Sequence, residues 1–162
     1  MTLEVLTWLI AIPLLGFITG MRTLTPMAVL CWFAYLGYLP VHDSWAWWCA
    51  KLSVAIALTV LAILEYVADK LYLSPRPTRP AVLMIRFFLG GLVGAILAAG
   101  LDASGVEGTI LGVLGALVGA FCAYELRHQL THRLGCKTWH VTLTEDVFAV
   151  ASAIVCMGII TG

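Results

Sequence analysis

The chain has 162 residues, 62% of them hydrophobic and 11% charged, with nine Lys and Arg against nine Asp and Glu. Soluble domains carry about 45–50% apolar and about 25% charged residues, so this composition excludes an ordinary soluble domain and a disordered chain. A nucleic-acid partner, which would need clustered basic charge, is excluded as well.

A helix that crosses a hydrocarbon core of about 30 Å needs about 20 apolar residues, and helix is the conformation lipid demands because unpaired backbone amides are too costly there. The expected fold is therefore all-α, a polytopic transmembrane bundle of about six segments in one domain spanning residues 1–162. The first segment runs from Leu3 to Gly20 and the second from Pro26 to Leu39. The second is short, so these two are read as either one broken span or a re-entrant pair. The third covers Ser44 to Leu71, the fourth Pro80 to Leu101, the fifth Gly105 to Leu134 and the sixth Leu143 to Ile160. The start Met1-Thr-Leu-Glu4 lacks the positive stretch of a cleavable leader, so the first apolar run is expected to be retained.

The segment ends carry capping chemistry. Thr25-Pro26 reads as an N-cap followed by proline in the first turn. Ser104-Gly-Val-Glu107 and Thr142-Leu-Thr-Glu145 both fit the capping box. Gly135 is placed to stop the fifth helix in a left-handed turn, and Ser74-Pro-Arg-Pro-Thr-Arg-Pro80 reads as the longest loop. Arg22, Lys70, Arg76, Arg79, Arg127, Arg133 and Lys137 fall in the connections after segments one, three and five. The positive-inside rule puts these connections in the cytoplasm and both termini outside. Trp45, Trp47 and Trp48 then belong to the outer aromatic belt.

The fourth and fifth segments carry Gly90, Gly94, Gly108, Gly112, Gly115 and Gly119 in GxxxG spacing, which lets helix backbones approach closely. The expected contact is between helices four and five, with a homo-oligomer through the glycine faces as the alternative. The five cysteines are scattered, so neither a disulfide framework nor a zinc site is expected. Glu125-x-x-His128 resembles half of a di-metal carboxylate site, but a second Glu-x-x-His does not occur in the sequence. No metal and no cofactor are expected.

Charges at membrane depth are functional candidates by default. Here they are Arg22, Glu65, Asp69, Arg86, Glu125, Glu145 and Asp146, all on the side of the basic connections. Glu65 to Arg86 and Glu125 to Asp146 are both 21-residue intervals, which suggests tandem hairpins. Such a cluster fits a small transporter or channel-like protein whose arginines hold an anionic solute or a lipid headgroup. The alternative is a non-catalytic scaffold in which the charges lock helices together. Enzymatic chemistry has the least support, because no nucleophile and base can be paired.

The stretches Gly20-Met-Arg22 with Pro26, Leu64-Glu-Tyr-Val-Ala-Asp-Lys70, Arg86 followed by Gly90-Gly91, Gly115-Ala-x-x-Gly119-Ala and Glu145-Asp146-x-x-Ala149 resemble domain-of-unknown-function family 4126, a family of small bacterial membrane proteins. The resemblance covers nearly the whole chain. It implies a helical inner-membrane protein and carries over no activity, substrate or catalytic residue.

Overall fold

The computed structural model describes residues 2–71, 80–135 and 137–162, and in them the chain is all-helical with no strand. Six α-helices follow in order: α1 (Thr2–Met21), α2 (Thr25–Tyr35), α3 (Leu52–Leu71), α4 (Pro80–Gly100), α5 (Gly105–Arg133) and α6 (Thr138–Thr161), with a short 3₁₀ helix (Trp47–Ala50) before α3. Among the described residues three helices are long and apolar enough to cross a membrane, drawn from α4, α5 and α6. α2 has 11 residues, about 16 Å of helix, and is too short to cross alone.

Several expected boundaries move. The third segment starts eight residues later than Ser44, because Ser44–Lys51 is occupied by turns and the 3₁₀ helix. The second helix stops at Tyr35, after which Gly37 takes a φ of 83° that suits glycine alone. The sixth helix begins at Thr138 with Lys137 as N-cap, so Thr142 is interior and Thr142–Glu145 is not a capping box. Leu24, rather than Thr25, is the N-cap of α2. Ser104 does cap α5 in position, but its side chain makes no capping hydrogen bond. Gly135 has a φ of 60°, the left-handed stop expected of it. The proline-rich stretch before Pro80 lies outside the described residues.

The packing is organised around α5, which lies between α1 and α4. Its small face meets both neighbours through bare backbone. A methyl group added to Gly16 would sit 2.5 Å from the Gly112 carbonyl oxygen, whereas one added to Gly112 itself would sit 3.1 Å from Gly94 Cα. Gly115 and Gly119 face Pro13 and Phe17 of α1, and Gly90, Gly94 and Gly108 line the α4–α5 seam. The glycine faces are thus filled within one chain, and Gly115 and Gly119 serve α1 rather than α4. The pairings also set direction. Gly16 and Gly20 face Gly112 and Ala116, and Pro13 and Phe17 face Gly115 and Gly119, so α1 runs parallel to α5. Gly90 faces Gly112 and Ala116, whereas Gly94 faces Gly108, so α4 is antiparallel to α5.

α2 turns back from α1 at Arg22–Leu24 and runs antiparallel to α3. Thr25 meets Tyr66 at one end of that pair, and Trp32 Nε1 donates to Thr59 Oγ1 (2.9 Å) further along. Leu39, beyond α2, packs on Gly100 at the far end of α4. The first two segments are therefore an antiparallel pair and not one broken span, because the helix reverses at the break.

Candidate functional site

One end of the bundle collects the last turns of α1, α3 and α5 and the first turns of α2, α4 and α6. The reversal at Arg22–Leu24 lies there and exposes two helix ends. The last carbonyls of α1 have no intrahelical partner, nor do the first amides of α2. Both ends are met by side chains of complementary sign. Arg86 Nη1 donates to the Gly20 carbonyl at the end of α1. Glu65 accepts the Thr23 and Leu24 amides ahead of α2, Oε1 at 3.3 Å and Oε2 at 3.2 Å. Arg86 reaches this position because it extends the Gly90–Gly94 stripe of α4 by one turn.

Arg22, 1% exposed, forms an ion pair with Asp146. Its guanidinium also lies over the Tyr66 ring, 5.0 Å from the centroid. Tyr66 Oη and Thr25 Oγ1 share a hydrogen bond of 2.5 Å. Next to Asp146 on α6, Glu145 Oε2 accepts Arg127 Nε at 2.5 Å. Both carboxylates are buried because the inner face of α6 runs through Val141, Thr142, Glu145, Asp146, Ala149 and Ala153.

The structure thus brings Arg22, Glu65, Arg86, Glu145 and Asp146 together and leaves Glu125 out. Glu125 is exposed and accepts a hydrogen bond from Gln129 (2.8 Å) on its own helix. The 21-residue correspondence between the two hairpins therefore fails at Glu125. His128 stacks on Tyr124 with ring centroids 6.2 Å apart, on the same exposed helix end. Asp69 lies on α3, and its side chain is outside the described residues.

The charge pattern places Arg127 in a basic connection, and nothing in the sequence singles out Tyr66. For Arg127 a signal exists: Ala116, Ala120, Ala123 and Arg127 recur at i, i+4, i+7 and i+11, so Arg127 continues the buried small face of α5. Glu125, two residues away, faces elsewhere.

Each carboxylate is committed: Glu65 to amides, Glu145 to Arg127, and Asp146 to Arg22. Arg86 differs. It is 7% exposed, and among the described residues no carboxylate forms an ion pair with it and its Nε has no hydrogen-bond partner. Glu145 Oε1 is likewise buried without a hydrogen-bond partner there. A buried guanidinium with an unused donor can take one more acceptor, and a carboxylate or phosphate oxygen fits that geometry.

An all-helical bundle with apolar, lipid-compatible helices and buried charges at one end defines a membrane protein. The chain matches Domain of unknown function (DUF4126) over residues 9–159 and belongs to that family. No curated protein and no solved structure matches it.

Proposed function

We propose that this is a multi-pass protein of a bacterial inner membrane whose six helices run alternately inward and outward, with the charged end cytoplasmic and both termini outside. On this reading it moves a small anionic solute or a lipid headgroup through the charged end, with Arg86 as the anion contact. The observation that carries the proposal is the unpartnered Nε of buried Arg86, beside the paired helix ends of α1 and α2. Basic connections at that end agree with the orientation. Helix ends that meet at a chain reversal are also the places where membrane transporters build anion sites.

The test uses purified protein in liposomes with inorganic phosphate and a short-chain dicarboxylate as probes. The wild type should carry at least one of them, and Arg86→Gln should lower the flux at least tenfold while eluting as folded protein. Equal flux in wild type and Arg86→Gln, or no flux of either probe, overturns the proposal.

A second reading, a scaffold with structural charges, is favoured by the ion pairs Arg22–Asp146 and Arg127–Glu145. Glu65 and Arg86 do not pair with each other, so the informative charge swap is Arg127→Glu with Glu145→Arg. A scaffold keeps its function and its fold when that pair is swapped.

A further inference from the structure

The exposed face at the end of α5 holds ligating side chains that the buried cluster does not use. Tyr124, His128 and His132 follow at four-residue steps and so form one row along the helix. Both histidines are exposed, and residues 125–133 hold most of the polar groups of α5, so water reaches this row. The two imidazole centroids stand 4.5 Å apart with their planes tilted by 50°. Histidines four residues apart on one helix face form a two-armed ligand for a transition ion, and the spacing tests whether these two can act together. An ion about 2.1 Å from a ring nitrogen lies about 3.2 Å from the ring centre, and two rings bound to it at a right angle have centres about 4.5 Å apart. The observed separation matches. Rotation about χ2 aims the nitrogens and leaves the centres nearly in place, because each centre lies close to the Cβ–Cγ axis. Glu125 is one turn before His128 but accepts a hydrogen bond from Gln129 (2.8 Å). Among the described residues no group of three or more His, Cys, Asp or Glu could hold an ion. A two-metal centre is thereby excluded, whereas a chelate by two imidazoles is not.

We propose that His128 and His132 together bind one divalent transition ion of the imidazole-preferring class, such as Ni²⁺ or Cu²⁺. The square-planar and tetragonal geometries of these ions put neighbouring ligands at right angles. One nitrogen of each ring coordinates the ion, and water completes its shell. Mg²⁺ and Ca²⁺, which take oxygen ligands, are not held. The bound ion cross-links one turn at the end of α5. That turn starts one residue after Arg127, so the ion pins the helix end behind the Arg127–Glu145 pair. The inference uses neither the orientation of the chain nor a transport activity.

The full chain, carrying an affinity tag without histidine, is purified in detergent, stripped with EDTA and titrated calorimetrically with NiCl₂ in a non-coordinating buffer. One ion per chain should bind, and MgCl₂ should give no binding heat. His128→Ala and His132→Ala should each weaken Ni²⁺ binding at least about tenfold, because losing either ring destroys the chelate. Both positions are exposed, so each variant should elute as the wild type does. Ni²⁺ should also slow hydrogen exchange in the last turn of α5 in the wild type and in neither variant. No binding of Ni²⁺, equal binding of Mg²⁺, or exchange that Ni²⁺ leaves unchanged overturns the proposal. Ni²⁺ affinity that survives in both variants also overturns it, because the ion then sits elsewhere, as on the exposed Cys122 thiol.

Discussion

α3 and α5 are held in the bundle by opposite means. α5 is gripped on two sides through glycine and alanine, with backbone of α1 and α4 where side chains would ordinarily be. α3 buries only Ala55 and Ala62 among its described side chains. It is clipped on by polar groups instead: Thr59 to Trp32, Glu65 to the α2 amides, and Tyr66 to Thr25 and Arg22. In lipid, apolar surface alone gives helices little reason to associate, so close packing and hydrogen bonds have to supply the contact. One helix uses the first and its neighbour uses the second. The difference implies that α5 fails abruptly when a side chain is added at Gly108, Gly112, Gly115 or Gly119, whereas α3 loosens by degrees.

The largest expected effect breaks the α5 side of the comparison. Gly112→Leu should leave no folded protein, because any side chain there meets the α4 backbone and the Gly112 backbone itself is closed against Gly16. Size-exclusion elution in detergent checks this, and a monodisperse Gly112→Leu peak would contradict it.

Next come the buried ions. Asp146→Asn strips Arg22 of its carboxylate and should cost about 3–5 kcal/mol, read as the midpoint of unfolding in SDS. Replacing both, Arg22→Met with Asp146→Leu, should recover most of that loss, because no uncompensated charge is left buried. A double variant as unstable as the single one would mean that Arg22 serves partners other than Asp146.

The α3 clips are weaker. Glu65→Gln should cost about 1–3 kcal/mol, since an amide oxygen can still accept one of the two α2 N–H groups. The same unfolding assay, with hydrogen exchange at Thr23 and Leu24, locates the loss at the start of α2. Unchanged exchange there would refute the capping role. Smallest of all is Glu125→Ala, within about 0.5 kcal/mol because its side chain is exposed. A larger cost would place Glu125 in the cluster after all.

These effects also mark what could be read before the fold was known. The charges themselves were legible: Arg22, Arg86, Glu145 and Asp146 interrupt apolar runs, and the cost of burying them singles them out. Their partners were not. Glu65 sits 21 residues from Arg86, yet it turns to the α2 amides, which became available only because the chain reverses at Arg22. The spacing makes Glu145 a capping-box member, but three-dimensional packing gives it Arg127, from a helix turn that the charge pattern places in a basic connection. The glycine spacing showed that α5 would touch backbone. That Gly115 and Gly119 meet α1 could not be read locally, because nothing in a helix face names a partner about a hundred residues away.

The parallel seam between α1 and α5 has a consequence for the order in which the molecule can be assembled. Synthesis runs from the N terminus, so Gly16 and Gly20 enter the membrane long before Gly112 and Ala116 exist to close against them. Through the emergence of α2, α3 and α4, the first helix has no mate for its small face. The fifth helix brings the surface that closes against both α1 and α4, so these two glycine seams cannot form until the final third of the chain is made.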